Sequence, residues 1–197
     1  MAQGRKMSFD RDHALRAAMT VFWSFGFEGA SLDQLTRAMG IRSTPSLYRS
    51  FGDKKALFLE AAELYVSSYG VVVTHPLEKE KTAAEAIRGM LLAGADLYTS
   101  PGRPGGCLIV LGAVNCTPEN QDIIHAMASY RQALRNMVGQ RMQRAVEKGE
   151  LPAAPSANAL AEFYTSVLYG FAVRARDGAT RDDLLAAIEL VPLPGIR

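Results

Sequence analysis

The sequence is poor in the residues that form covalent cross-links and metal sites. Its 197 residues include two cysteines and three histidines. Cys107 and Cys116 lie nine positions apart in the apolar stretch CLIVLGAVNC, and a helix would hold them too far apart for a disulfide. The histidines, His13, His75 and His125, stand alone without the spacing of metal ligands. We therefore expect two small buried thiols, no metal and no cofactor.

Long hydrophobic runs are also missing. No uninterrupted apolar stretch approaches the roughly 18 residues that span a bilayer, and the N-terminus MAQGRKMSFDRD lacks the apolar segment of a signal peptide. The composition, with 48% hydrophobic and 21% charged residues, is typical of a soluble globular protein. We therefore expect a cytoplasmic protein with no membrane partner.

The motifs of the common enzyme classes are absent as well. The chain has no nucleophile elbow, no Walker loop and no dinucleotide-binding glycine pattern. The glycine- and proline-rich segment SPGRPGG is predicted to be a plain loop, because no strand precedes it and no Gly-Lys-Ser/Thr follows it. These absences argue against an enzyme.

The net charge of +2 is small for a nucleic-acid-binding protein, but it is unevenly distributed. Residues 1–55 contain 9 Lys/Arg and 5 Asp/Glu, a net charge of +4, whereas residues 56–197 carry a net charge of −2. The N-terminal segment therefore has the positive charge that attraction to a phosphate backbone requires. Arg5 and Lys6 in the N-terminal arm could contact phosphates, although a solvated tail is the simpler interpretation.

The stretch SLDQLTRAMGIRSTPSLYRSFGDKKALF, which begins at Ser31, contains several helix start and stop signals. Ser31 and Gln34 form a predicted capping box, and Gly40 stands after the helix, where a left-handed backbone is needed. Thr44 before Pro45 predicts an N-cap and a proline in the first turn of a second helix. The stretch therefore predicts two short helices joined by a glycine turn.

The second of these helices carries polar side chains on its outer face. Leu47 and Phe51, four residues apart, face inward. The residues left outside are Ser46, Tyr48, Arg49 and Ser50. Asp53 is the predicted cap of the next helix, whose first turn carries Lys54 and Lys55. Cations at this end oppose the helix dipole, and a phosphate bound nearby would offset that cost.

Residues 9–60 resemble the N-terminal domain of TetR-type transcriptional repressors. The similarity lies in FDRDHALRAAMTVFWSFGFEGASLDQLTRAMGI followed by PSLYRSFGDKKALFLE. In these segments an amphipathic first helix ends in FGF, and a second helix begins at Ser31. A plain three-helix surface cluster with solvated charges is the competing interpretation. The coincidence of the capping box, the turn glycine, the restart proline and the polar face favours a helix-turn-helix.

The resemblance implies that seven side chains contact DNA: Arg42, Ser43, Thr44, Ser46, Tyr48, Arg49 and Lys54. It implies that Tyr48 meets a phosphate or base edge, that Lys54 binds a phosphate, and that Ser46 and Arg49 border the groove. The turn IRSTPS is one residue longer than the family pattern, so the contact positions within Arg42, Ser43 and Thr44 stay open.

The remaining sequence predicts further amphipathic helices. They are predicted over about 53–73, 83–99, 119–148, 156–177 and 181–190, with CLIVLGAVNC as a short buried helix. The first would connect two halves and end at His75-Pro76. We therefore predict an all-α fold. Residues 1–52 form an N-terminal three-helix helix-turn-helix DNA-binding domain, and residues 53–197 form a helical ligand-binding and dimerisation domain.

The helix predicted over residues 156–177 is apolar nearly all round and needs cover on two sides. One cover is its own domain, and the other is a second copy of the chain, with Phe163, Val167 and Phe171 at the seam of a homodimer. The segments GCL, KGELP and LYGFAVRARDGATRDDL are similar to the ligand-binding and dimerisation domain of one TetR subgroup.

Four polarisable or amphipathic side chains are the predicted pocket residues: Met90, Tyr98, Met127 and Tyr130. For each residue singly, a plain core role explains the sequence equally well. The predicted function is a DNA-binding transcriptional repressor that a small, mostly apolar ligand releases from its double-stranded DNA operator. The alternative is a helical homodimer with a small-molecule or redox-sensing role that does not depend on DNA.

Overall fold

The computed structural model describes residues 9–195, and every regular element in these residues is a helix. The α-helices are α1 (Arg11–Gly29), α2 (Leu32–Ala38), α3 (Thr44–Phe51), α4 (Lys54–Tyr65), α5 (Val71–Lys79), α6 (Ala83–Tyr98), α7 (Leu108–Leu111), α8 (Gln121–Glu147), α9 (Ala157–Arg176) and α10 (Arg181–Ile188). A π-helical turn, Val66–Gly70, joins α4 to α5, and a 3-10 turn, Pro118–Asn120, precedes α8. The all-α prediction is confirmed. The N-terminal arm with Arg5 and Lys6 lies outside the described residues.

The sequence predicts that α1 ends in the FGF segment, but the helix bends there and continues to Gly29. Asp10 caps it, with its carboxylate accepting from the backbone N–H groups of the first turn. The bend is at Gly26, where φ is 71° and ψ is −179°. A positive φ of this kind favours glycine. The bend redirects the last turn of α1 towards the rest of the molecule.

Helices α2 and α3 follow the predicted signals with one correction. The Ser31–Gln34 capping box is present, and Gly40 has φ 66°. The N-cap of α3 is Ser43, and the predicted cap Thr44 is instead the first helical residue. The Ser43 hydroxyl makes no capping bond to the backbone and lies 3.0 Å from the Ser46 hydroxyl. Helix α3 therefore starts one residue earlier than predicted.

The helix that joins the two predicted halves, which we call the connector, consists of α4, the π-helical turn and α5. It is predicted to end at His75-Pro76, and this prediction is wrong. Helix α5 includes Pro76 and continues to Lys79. The Pro76 ring packs against α6 at Gly89, where an added Cβ would lie 2.8 Å from the proline Cβ. Close packing on α6 therefore outweighs the backbone hydrogen bond that a proline inside a helix forfeits.

The continuous helix Lys54–Lys79 is long and apolar enough to cross a membrane by length and composition alone. Buried core helices pass the same test. Here Leu57 and Phe58 are fully buried, and Glu60 accepts two hydrogen bonds from Arg11 of α1, at 2.5 and 2.8 Å. These contacts place its first turns in the core of the chain, and 33% of its most apolar window is buried, so its length and composition are weak evidence for a membrane span.

The stretch CLIVLGAVNC is a helix over four residues only, Leu108–Leu111, rather than throughout. Gly112 ends it, because the Gly112 carbonyl turns to accept the Phe27 N–H of α1 at 2.7 Å. Cys107 is buried, Cys116 is half-buried, and both are free thiols. The expectation of two small buried thiols is confirmed for Cys107, whereas Cys116 is only partly covered.

One continuous hydrophobic core runs from α1 to α10. The Phe58 ring of α4 contacts Phe22 and Phe27 of α1, at centroid distances of 5.0 and 5.3 Å. Helix α4 therefore completes the core of the N-terminal helices, while α5 packs on α6 and α8. A boundary at residue 52 stays a prediction.

Candidate nucleic-acid interface and ligand pocket

Helix α3 separates apolar and polar side chains onto two faces. Leu47 and Phe51 are buried, and Phe51 packs beneath the guanidinium of Arg11 at 4.4 Å. The outer face carries exposed Tyr48 and Arg49. The remaining predicted DNA contacts in this region are exposed Arg42 and Ser43 and half-buried Thr44 and Ser46. The structure therefore gathers six of the seven predicted residues on one accessible surface, which we call the α3 face.

The seventh residue, Lys54, has a second environment. Its ammonium lies 3.5 Å from the Glu28 carbonyl oxygen and 4.8 Å from the centre of the Phe27 ring. Burial is the largest influence on this group, and it lowers the pKa of the Lys54 ammonium. Lys54 therefore stabilises the C-terminal end of α1 as well as lying next to α3. The neighbouring Lys55 is paired with Asp122 of α8 at 2.8 Å.

A largely apolar cavity of about 390 Å³ lies between the connector and α8. Its walls come from α4, the π-helical turn, α5, α6, the segment around α7, α8 and α9. The lining residues are Tyr65, Val66, Gly70, Val71, Val73, Thr74, Glu78, Leu97, Tyr98, Cys107, Ile109, Val110, Tyr130, Arg131, Ala133, Leu134, Met137 and Tyr169. We call this cavity the connector pocket.

Only two of the four predicted pocket residues line the connector pocket. Tyr98 and Tyr130 lie on its wall, whereas Met90 and Met127 are fully buried and do not line it. Tyr65 of α4 also lines the pocket, and it is not among the pocket residues predicted from the sequence. The polar tyrosine inside an apolar helical stripe was the signal available.

The inner end of the pocket carries polar groups without a charge. Tyr65 and Tyr98 are 2% and 3% exposed, and both phenols interact with the Cys107 thiol. Burial raises the pKa of Tyr65 and Tyr98 well above the usual value, and it also raises the pKa of the Cys107 thiol. All three groups are therefore protonated and neutral at pH 7.

The outer end of the pocket is held by Arg131 of α8. Its guanidinium donates to the Ile109 carbonyl at 2.7 Å, and its own backbone carbonyl accepts from the Tyr169 hydroxyl at 3.0 Å. Exposed Glu78 stands on the same rim. Among residues 9–195, no group of three or more His, Cys, Asp or Glu side chains is placed to hold a metal ion.

An aromatic cluster joins the connector pocket to α1. The Trp23 ring lies 4.8 Å from Tyr65, edge to face, and 5.5 Å from Tyr69. The indole N–H of Trp23 donates to the Gly106 carbonyl at 3.0 Å. A pocket residue and a residue of the N-terminal helices are therefore in direct contact.

Two polar contacts fasten the end of α1 beside this cluster. Arg176 of α9 donates to the Trp23, Ser24 and Gly105 carbonyls. The Glu28 carboxylate accepts from the Thr117 N–H at 3.0 Å and from the Asn120 amide at 2.6 Å. These bonds lower the pKa of Glu28, the backbone bond from Thr117 contributing most.

Helix α9 presents an apolar stripe to solvent. Phe163 and Val173 are 43% and 45% exposed, and Gly170 between them has open space above it. Of the other predicted seam residues, Phe171 is buried in its own chain and Val167 is half-buried. The uncovered stripe is therefore narrower than the sequence predicts.

The comparisons with known proteins agree with this geometry. Residues 14–61 match the family described as "Bacterial regulatory proteins, tetR family", and residues 83–189 match the one described as "Tetracyclin repressor-like, C-terminal domain". The chain is 30% identical over 185 residues to the HTH-type transcriptional repressor ComR of Escherichia coli (strain K12), covering 93% of this chain and 88% of ComR. The chain belongs to the TetR family.

Two further relatives support the assignment to TetR regulators. The repressor AcnR of Corynebacterium glutamicum is 28% identical over 97% of this chain and 95% of its own. A cysteine mutant of the TetR family regulator CifR, complexed with 26bp double-strand operator DNA, is 41% identical. That structure has a TM-score of 0.90 over 95% of this chain and 97% of CifR. The present TetR-family chain is a DNA-binding transcriptional regulator, a class that is generally not enzymatic.

Proposed function

We propose that this TetR-family regulator is a cytoplasmic, homodimeric repressor that a small, mostly apolar molecule releases from its operator. Its proposed domains are residues 1–52 for DNA binding and residues 53–197 for ligand binding and dimerisation. The DNA contacts proposed are Arg42, Ser43, Thr44, Ser46, Tyr48, Arg49 and Lys54. Of the ligand contacts predicted from the sequence, Tyr98 and Tyr130 are retained, and Tyr65 is added.

The contact between Tyr65 and Trp23 is the observation that supports release by a ligand. A molecule in the connector pocket touches Tyr65, and Tyr65 packs on α1. The adjoining turn Val66–Gly70 is π-helical and lines the pocket. Single π-helical turns inside α-helices are frequently found at functional sites. A ligand with a hundredfold preference for the DNA-incompetent state would contribute about 2.7 kcal/mol per site.

DNA release is tested with a labelled duplex from the region upstream of the coding sequence, since repressors of this kind often act near their own gene. Small molecules that raise the melting temperature of the protein are added to the complex, and fluorescence anisotropy follows the duplex. Linkage requires that the duplex weaken small-molecule binding by the same factor in calorimetry. A compound bound equally tightly with and without the duplex is not the inducer.

The DNA contacts are tested by separating phosphate from base recognition. Lys54→Ala should weaken binding to every duplex and reduce the salt slope by about one, whereas Arg42→Ala should also relax sequence preference. Arg174→Ala, which removes an exposed charge on α9, is the matched control and should leave affinity unchanged. Unchanged affinity in Lys54→Ala for all duplexes would contradict the phosphate role.

The homodimer is tested on the α9 stripe. Phe163→Asp and Val173→Asp alter exposed residues, so the monomer should still fold, but an unpaired charge buried at the seam should dissociate the dimer. Leu190→Asp, at an 85% exposed position outside α9, is the control. Light scattering gives the mass of each variant. A dimer in both stripe variants would place the seam elsewhere.

A further inference from the structure

Tyr65 lines the connector pocket, and its buried hydroxyl is an unused donor. Among the described residues, it is the buried side-chain polar atom that lacks a hydrogen-bond partner. The Cys107 thiol and the Leu108 backbone lie close to it, but neither makes a hydrogen bond of normal geometry with it. A buried donor without a partner is costly, and folded proteins rarely keep one without a reason.

The surroundings of this hydroxyl select the kind of group that can satisfy it. Tyr98 and Cys107 beside it are neutral, and neither could compensate a buried charge. The cation on the pocket wall, Arg131, stands at the outer end, where its guanidinium donates to the Ile109 carbonyl. A carboxylate or an ammonium at the inner end would therefore lose its hydration without gaining a counter-ion.

The rest of the wall is apolar and would cover a hydrocarbon body. Side chains from the connector, α6, the α7 segment and α8 enclose it. They are Val66, Val71, Leu97, Ile109, Val110, Leu134 and Met137. A cavity of about 390 Å³ with one polar end suits an elongated molecule with a single polar head.

We propose that Tyr65 and Tyr98 form a head-group site for an uncharged oxygen acceptor, such as the carbonyl or ether oxygen of an otherwise apolar molecule. The Tyr65 hydroxyl donates to that oxygen, and the apolar body extends towards Tyr130. This inference rests on the proposed role of the connector pocket as the inducer site. It names the chemical class that the pocket accepts.

The first test uses the protein without any ligand. Tyr65→Phe removes a hydroxyl that has no partner, so the melting temperature should stay the same or rise. Tyr164→Phe is the matched control, because the Tyr164 hydroxyl donates to the Pro192 carbonyl at 2.9 Å and its loss should lower the melting temperature. A fall in Tyr65→Phe as large as that in Tyr164→Phe would show that the Tyr65 hydroxyl already has a structural partner, and would overturn the proposal.

The second test measures binding of 2-nonanone, nonanoate and nonylamine. Trp23 is the only tryptophan in the sequence and lies against Tyr65, so its fluorescence reports on the pocket. The ketone should bind the unaltered protein at least tenfold more tightly than the two charged probes. Tyr65→Phe should weaken ketone binding by about tenfold, and Tyr164→Phe should leave it unchanged.

Each contrary result overturns the head-group site. These results are absence of ketone binding, equal ketone affinity in Tyr65→Phe, and tighter binding of nonanoate or nonylamine than of the ketone. All titrations are done without DNA. Failure of the repressor proposal would instead appear in the duplex experiment, as absence of DNA binding or of release, whatever the pocket binds.

Discussion

The α3 face and the connector pocket both carry hydroxyl groups, but they leave them in opposite states. On the α3 face the Ser43 and Ser46 hydroxyls contact each other and are open to water. In the pocket the Tyr65 hydroxyl is buried and has no partner. A new hydrogen bond gains little where water is displaced and much more where a buried group was unsatisfied. DNA affinity therefore depends on many contacts and on charge, whereas ligand affinity can depend on one polar bond.

The two regions meet at a joint made by the end of α1, the segment 105–120 and α9. Trp23 contributes its indole N–H to Gly106, and Arg176 contributes its guanidinium to the carbonyls before the bend at Gly26. A change in the pocket can reach α3 through this joint or through α4, which lines the pocket with Tyr65 and packs on α1 with Phe58. Variants of the joint and of each region therefore test the comparison.

The largest expected effect is at Gly106 in the joint. Gly106 has φ 80°, and an added Cβ would lie 2.5 Å from the Ala172 carbonyl oxygen of α9. Gly106→Ala should lower the free energy of unfolding by about 4 kcal/mol, through backbone strain and overlap together. Gly102→Ala has φ 77° in the same loop and nothing within 4 Å, so it should show the strain alone. Urea denaturation measures the unfolding free energy of both variants. Equal losses would mean that α9 moves away from the added methyl group at residue 106.

The next effect separates the two faces of α3. Leu47→Ala removes a fully buried side chain and should cost about 3 kcal/mol of stability. Tyr48→Ala, at the adjacent and 42% exposed position, should change stability by less than about 0.5 kcal/mol while weakening DNA binding. Urea denaturation and duplex anisotropy measure the two quantities. Unchanged DNA affinity in Tyr48→Ala would remove Tyr48 from the interface.

The α3 face could be predicted from sequence because its signals are local. The Ser31–Gln34 box, the turn at Gly40 and the spacing of Leu47 and Phe51 lie within about twenty consecutive residues, and each depends on near neighbours. The one local error, the N-cap at Thr44 instead of Ser43, shifted the helix start by a single residue.

The connector pocket could be predicted only in part because distant segments build it. Tyr98 and Met90 share the apolar stripe of α6, and only the placement of the connector and the α7 segment decides which of them meets a cavity. The continuation of α5 beyond Pro76 also depends on a distant segment, because the proline ring packs on Gly89 of α6. Periodicity identifies buried side chains but does not distinguish a packed core from a lined space.

A smaller effect is expected for the cation in the joint. Arg176→Met should remove its hydrogen bonds to Trp23, Ser24 and Gly105 and lower the free energy of unfolding by about 1.5 kcal/mol. Arg174→Met, which removes an exposed charge 4.0 Å from Asp177, should have almost no effect. Thermal denaturation of the two variants makes the comparison. Equal melting temperatures would show that Arg176 does not fasten α1.

The smallest effect is a pH dependence from Glu28. Its bonds from Thr117 and Asn120 hold the folded pKa below the usual 4.5, so the unfolded chain takes up this proton first as the pH falls. The stabilisation is therefore complete above pH 4.5 and is lost as the pH falls through the lower, folded pKa. Several other carboxylates with lowered pKa, among them Asp183 and Glu189, titrate in the same range, so acid denaturation alone does not isolate Glu28.

The substitution Glu28→Gln isolates the contribution of the Glu28 carboxylate to stability. The amide keeps one acceptor oxygen but carries no charge, so the variant should be less stable than the unaltered protein at pH 7, by a small margin because the group is exposed. The margin should narrow below pH 4.5 and vanish once Glu28 is protonated in the folded protein. Urea denaturation of both proteins from pH 7 to pH 3 measures it. A margin that stayed constant over this range would mean that the charge of Glu28 does not stabilise the joint between α1 and the segment 105–120, and that its bonds to Thr117 and Asn120 act as neutral hydrogen bonds would.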